Sequence, residues 1–371
     1  MQRTFAILAL LVGFATSAQA QRAWQSEIGI QGGFVRIKPA GTARRDQIDA
    51  FAVPGANFVL GLLTHGTVYA VIPWSNKVAV EPSVVFSQLN GGAGTNSIGR
   101  LGVRVNYALT PKFYAGAGGA LLYLDAGPQH SKALGLHAAV GYRMHLTGSL
   151  NSRVEANFTS TKKTKDLNPF IGYGVLLGVS TRLGGGVGAA PAPSRRSAPQ
   201  ARAWQPVLGI AGGYFSSHTV GGADVNGFAV PALGGSVTGI GTFLGNPPTM
   251  FAILPIGTKI ALEPGLDIVR VQQPAPQGTS FSANMSARLD YAVHKRWYAA
   301  AGANFNYMKV TGTNGGFIPG TNVAWGYRFP FGGAWGGRVE LNYALFAKNT
   351  KLGTGAQNVF GVMLGVTTPL H

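Results

Sequence analysis

Apolar residues alternate with small or polar ones through most of the chain, and a period of two is the signature of β-strands with one apolar face. Val78, Val80, Pro82, Val84 and Phe86 share one face, while Ala79, Glu81, Ser83 and Ser87 share the other, with Val85 the one apolar exception. Ile260, Leu262, Pro264, Leu266 and Ile268 stand in the same way against Ala261, Glu263, Gly265 and Asp267. Leu101, Val103, Val105 and Tyr107 oppose Gly102, Arg104 and Asn106, and Leu136, Ala138, Val140, Tyr142 and Met144 oppose His137, Ala139, Gly141, Arg143 and His145. A soluble sandwich also alternates, but its wet face carries Lys, Glu and Thr; here that face is Gly, Ala and isolated charges. Apolar positions turned to lipid, with small or paired polar ones turned inward, predict an all-β fold, a transmembrane antiparallel β-barrel.

The connections add topology. Tight links are predicted at Pro73 to Lys77, Thr110 to Lys112 and Thr147 to Asn151, and longer ones at Lys38 to Thr67, Leu89 to Ser97, Asp125 to Lys132 and Lys162 to Asn168. Short turns on one side and long loops on the other are the habit of membrane barrels, and eight strands fit between them. Tyr107, Phe113, Phe158, Trp297 and Tyr298 near strand ends fit interfacial aromatic girdles.

The pattern then recurs. Arg22-Ala23-Trp24-Gln25 returns as Arg202-Ala203-Trp204-Gln205, Phe51-Ala52-Val53-Pro54 as Phe228-Ala229-Val230-Pro231, Gly141-Tyr142-Arg143 as Gly326-Tyr327-Arg328, and Arg153-Val154-Glu155 as Arg338-Val339-Glu340. Order is kept throughout, so the chain reads as two tandem copies of one unit. The predicted division is a signal peptide over 1–20, a first barrel unit over 21–183, a Pro/Ala/Gly-rich linker over 184–203 and a second barrel unit over 204–371. Inner-face glycines (Gly102, Gly141, Gly174, Gly178) and the linker favour two eight-stranded up-and-down barrels. One sixteen-stranded barrel is the alternative.

Arg3, the apolar run Phe5 to Phe14 and the small-residue site Ala18-Gln19-Ala20 compose the export signal, with Gln21 as the expected mature terminus. No later stretch is long and apolar enough for a membrane helix. With 55 Gly and 11% charged residues the composition departs from that of soluble domains and suits strands with one apolar face; the lack of Cys is consistent with closure by hydrogen bonds. The formal charge of +18, one unit less without Arg3, is dispersed over turns and loops. That dispersal argues against nucleic acid and for membrane lipids, their phosphates included, as partners.

On this pattern each copy resembles the OmpA-type, OmpX-type and opacity-protein group of small bacterial outer-membrane barrels. The resemblance implies outer-membrane localisation and a role in anchoring or surface interaction, with porin-like conduction as the alternative. It also makes Gly174 to Val179 and Gly361 to Val366 similar to the closing-strand signal of the barrel-assembly machinery, although the chain ends Pro369-Leu370-His371 without the usual terminal aromatic.

The recurring inner-face charges are the candidate functional residues: Glu81, Arg104, Arg143, Arg153 and Glu155 in one copy, Glu263, Arg288, Arg328, Arg338 and Glu340 in the other. A charge in a narrow barrel is costly unless paired, so these are expected to form an ion cluster that plugs the interior or gates it. Glu81 and Arg104 are symmetric about the loop near Gly92, and Arg143 and Glu155 about the turn at Ser149, which predicts these as cross-strand pairs. None of His65, His130, His137, His145, His218, His294 or His371 sits in a motif with a serine and an acid, and no spaced His, Cys or carboxylate set suggests a metal. The Gly116 to Gly119 stretch opens no helix and is no phosphate cradle. No catalysis, cofactor or metal is therefore expected, and no surface ligand is specified.

Overall fold

A computed structural model describes residues 23–39, 47–53, 68–91, 94–126, 129–147, 150–164, 169–182, 203–220, 222, 224–230, 250–274, 278–309, 311–312, 314–332 and 335–370. The predicted signal peptide and nearly all of the linker lie outside them, as do the turn at Ser149, His65 and His371. In the first half the strands are β1 (Glu27–Pro39), β2 (Ile48–Val53), β3 (Val68–Pro73), β4 (Val78–Gly91), β5 (Gly94–Ala108), β6 (Phe113–Ala126), β7 (Gln129–Thr147), β8 (Leu150–Thr161) and β9 (Phe170–Arg182). The second half repeats them as β10 (Val207–Thr219), β11 (Val225–Val230), β12 (Met250–Pro255), β13 (Ile260–Gln272), β14 (Thr279–Ala292), β15 (Trp297–Lys309), β16 (Gly316–Gly332), β17 (Trp335–Phe346) and β18 (Gln357–Pro369).

The tight turns are locally encoded. Ser75 Oγ accepts from the Val78 N–H at 3.0 Å and Thr110 Oγ1 from the Phe113 N–H at 2.9 Å, so a hydroxyl at each turn holds the next strand in place. The longer connections differ from the sequence reading. The stretch read as a loop from Lys38 to Thr67 contains β2, and the hairpins β4–β5 and β6–β7 run on to Gly91–Gly94 and Ala126–Gln129, because the backbone ladder continues where side-chain alternation fades.

Closure has two levels. Towards the tight turns, β1, β3, β4, β5, β6, β7, β8 and β9 form one antiparallel ring, sealed by β9 against the full length of β1. In the same way β10, β12, β13, β14, β15, β16, β17 and β18 form a second ring, sealed by β18 on β10. Towards the loops the rings exchange partners. There β2 lies on β1 but gives its other edge to β13, with Ala52 opposite Val269. Reciprocally β11 lies on β10 and gives its other edge to β4, with Ala229 opposite Ser87. Followed around at that height, the hydrogen-bonded circuit passes through both halves. Two eight-stranded rings and one sixteen-stranded circuit are thus both present, at different heights of one molecule.

Side chains sort as the alternation predicts. Leu101, Leu134, Leu136, Leu177 and Leu364 on the outside are each more than half exposed, while polar Glu81, Arg104, Asn106 and Glu155 inside are fully buried. Towards the loops each interior turns apolar: Val35, Ile37, Leu122 and Phe170 pack with Val269 and Val271 of the exchanged β13, and Phe215, Met308, Ile318, Phe346 and Val359 fill the other half. Outside, the rings touch near the turn end, where Thr368 Oγ1 donates to Thr181 Oγ1 at 2.9 Å.

Candidate functional site: the charged interiors

Glu81 and Arg104 stand opposite one another on β4 and β5, and Arg104 Nη2 meets Glu81 Oε1 at 2.8 Å. The same guanidinium crosses the interior to Glu155 on β8, with Nη1 and Nη2 donating at 2.8 and 2.7 Å. Arg153 completes the belt through Nη1 to Glu81 Oε2 at 2.6 Å, and Asn106 Nδ2 and the Tyr114 hydroxyl donate to Glu81 and Glu155 at 2.9 and 2.7 Å. Two guanidinium groups and two carboxylates thus cancel, with most lone pairs occupied, as a buried ionic cluster needs.

The second half builds the same object. Arg288 meets Glu263 Oε1 at 2.9 Å and both oxygens of Glu340, Arg338 Nη1 meets Glu263 Oε2 at 2.5 Å, and the Tyr298 hydroxyl donates to Glu340. All eight charged residues are at most 5% exposed. Glycines make the room: a Cβ on Gly141 would lie 2.3 Å from Tyr114 Cζ, and one on Gly178 would lie 2.8 Å from Arg153 Cγ. Gly326 and Gly365 stand in the same relation to Tyr298 and Arg338.

Arg143 does not pair with Glu155. A register shift between His145 and Thr147 puts Arg143 opposite Arg153 and Glu155 opposite Gly141. Arg143 instead lies at the turn-side mouth, over the Trp24 ring at 4.5 Å, with Nη2 on Glu27 Oε1 at 2.5 Å. Asn151 Nδ2 and Ser180 Oγ also donate to Glu27, at 3.1 and 2.6 Å. Arg328 lies likewise over Trp204 at 3.8 Å and donates from Nη1 to the Ala203 carbonyl at 2.8 Å. Tyr298, read from the sequence as a girdle residue, is wholly buried within the second interior, whereas Tyr107, Phe113, Phe158 and Trp297 are outward and exposed.

Several interior residues escaped the sequence reading. Asp290 lies 3.3 Å from Arg288 Nε, and Arg100 is buried with none of its three nitrogens hydrogen-bonded. Glu27 escaped because the sequence reading rests on charges that recur in both copies and the second copy has Val207 at that position, although nearby Trp24 recurs as Trp204. Among the described residues no three His, Asp or Glu side chains cluster as metal ligands. His130 and His218 meet Asp125 and Asp224 on exposed strand ends.

No protein-family model matches the sequence, and no curated protein matches it. Solved structures to which it is similar include Neisserial surface protein A, with 13% identity over 44% of this chain and 97% of that one at a TM-score of 0.29. Others are the CymD monoaromatic hydrocarbon channel (9% identity, 97% of this chain and 95% of that one, TM-score 0.29) and OmpT, an outer membrane protein of Vibrio cholerae (12%, 96% and 100%, TM-score 0.26).

Proposed function

We propose that the protein is a non-enzymatic outer-membrane barrel whose role is structural: it anchors outer loops for surface interaction and does not conduct solutes. The observation that carries this reading is the inverted layering, with large apolar side chains exposed outside and neutralised charge buried within. Water would not support such an outside, and closed strands leave no bare edge for lipid. A solute moving along either interior would have to displace both the ionic belt and the apolar packing above it. Purified protein in planar bilayers is expected to show no steady conductance, and cell fractionation is expected to place the mature chain with outer membranes. Stable open-channel currents would replace the anchoring role with a porin role.

A further inference from the structure

At the turn-side mouth, the first strand of each ring meets the same two arginines with different side chains. In the first ring β1 presents Glu27 to Arg143 and Gln31 to Arg153, at 2.5 Å in both cases. Strand register identifies the corresponding positions in the second ring. Glu27 stands opposite Val71 and Arg182, and Val207 opposite Ile253 and Pro369; Gln31 stands opposite Gly178, and Ala211 opposite Gly365. Both polar partners are therefore absent from β10. Arg338 Nη2 has no hydrogen-bond partner although the residue is only 2% exposed, and Arg328 Nη2 reaches nothing nearer than the Lys295 carbonyl at 3.4 Å.

A cavity of about 300 Å³ opens on these two guanidinium groups, with Lys295 and Arg296 at its exposed rim. Among the described residues no Asp or Glu lines it. The matching cavity of the first ring, about 280 Å³, holds Glu27. We propose that the second-ring cavity binds a phosphate group, seated where the Glu27 carboxylate sits in the first ring. In the first ring an arginine, an amide and a hydroxyl donate to the Glu27 carboxylate; in the second ring Gly336 holds the place of Asn151, and Thr367 that of Ser180, its hydroxyl donating to the Gly336 carbonyl at 3.2 Å, so the arginines are the donors left for an anion. Arg338 already meets Glu263 in the belt, but Arg328, Lys295 and Arg296 bring three positive charges that no carboxylate lining the cavity answers, and guanidinium forks match phosphate oxygens in pairs. A soluble phosphate and a lipid phosphate at the barrel rim offer the same chemistry.

Calorimetric titration of the full folded chain in uncharged detergent with inorganic phosphate distinguishes them. A single saturable site is expected, lost in Val207→Glu, which supplies the missing carboxylate from within, and weakened at least about tenfold in Arg328→Gln. Glu27→Val is expected to create a second site in the first ring. If free phosphate gives no heat, phosphatidylglycerol retained by the wild type through detergent exchange, and released by either second-ring variant, assigns the site to a lipid phosphate. Arg328→Gln carries the comparison should V207E not fold. Phosphate or lipid binding that is the same in wild type and both variants, or absent throughout, overturns the proposal.

Discussion

Around Arg104 the first interior is short of carboxylates, whereas around Arg288 the second has more than its belt requires. The shared belt is two arginines on two glutamates in each half. Beside it the first half adds Arg100, which stands opposite Val85, and the second adds Asp267, opposite Asn284, and Asp290, against Arg288. Closing a narrow ring requires only the neutral belt, so the flanking inner positions are free to differ in charge. The same holds at the mouths, where Glu27 faces one cavity and Val207 the other.

The largest expected effect concerns what the halves share by exchange. The chain has no cysteine, so introduced pairs report cleanly. Cysteines at Ala52 and Val269 are expected to cross-link nearly completely under mild oxidation, while Ala52 with Ser87, the pairing two unexchanged rings would make, is expected to remain reduced. Cross-linking of the second pair in place of the first on a denaturing gel would replace the exchanged arrangement with two self-contained rings.

The belt comes next. Glu155→Ala leaves Arg104 with one carboxylate and is expected to cost about 3 to 5 kcal/mol, as loss of one partner from a buried ionic group usually does. Glu340→Ala should cost less, since Asp290 already lies 3.3 Å from Arg288. Urea unfolding midpoints in lipid vesicles check the difference, and equal losses would show that Asp290 gives Arg288 no relief.

The smallest effect has the opposite sign. Arg100→Leu removes a buried guanidinium that no hydrogen bond satisfies, so it is expected to stabilise the fold by about 1 to 3 kcal/mol. Asn284→Leu, facing Asp267 in the second half, should bring no such gain. A midpoint lowered by Arg100→Leu would mean that this side chain has an anionic partner in the folded protein.

Alternation made the strands and their inner faces legible, and hairpin symmetry about the loop near Gly92 gave the Glu81–Arg104 pair. The same rule misassigned Arg143, because an irregularity beside Leu146 moved the register and the true partner, Glu27, lies 116 positions away on β1. Nor could symmetry give Arg104 to Glu155, since that contact spans the interior from β5 to β8 and depends on how far tilted strands stagger. The exchange was illegible for another reason. Phe51-Ala52-Val53-Pro54 and Phe228-Ala229-Val230-Pro231 are the same tetrapeptide, and β4 and β13 share one alternation, so local pattern fits either partner equally well.

The crossing of β2 and β11 also bears on how the chain can be made. At the loop end neither half owns a full set of hydrogen-bonding partners: β2 waits for β13, and β4 for β11. A chain ended after β9 and holding the arrangement seen here would have two bare edges at one end, which lipid penalises by several kcal/mol for each unmet group, driving β2 onto β4 instead. The N-terminal strands thus remain unfinished until distant, later-synthesised ones arrive, and a nonsense or frameshift lesion ahead of β13, about 200 residues further on, would be felt at Ile48–Val53, near the start of the protein.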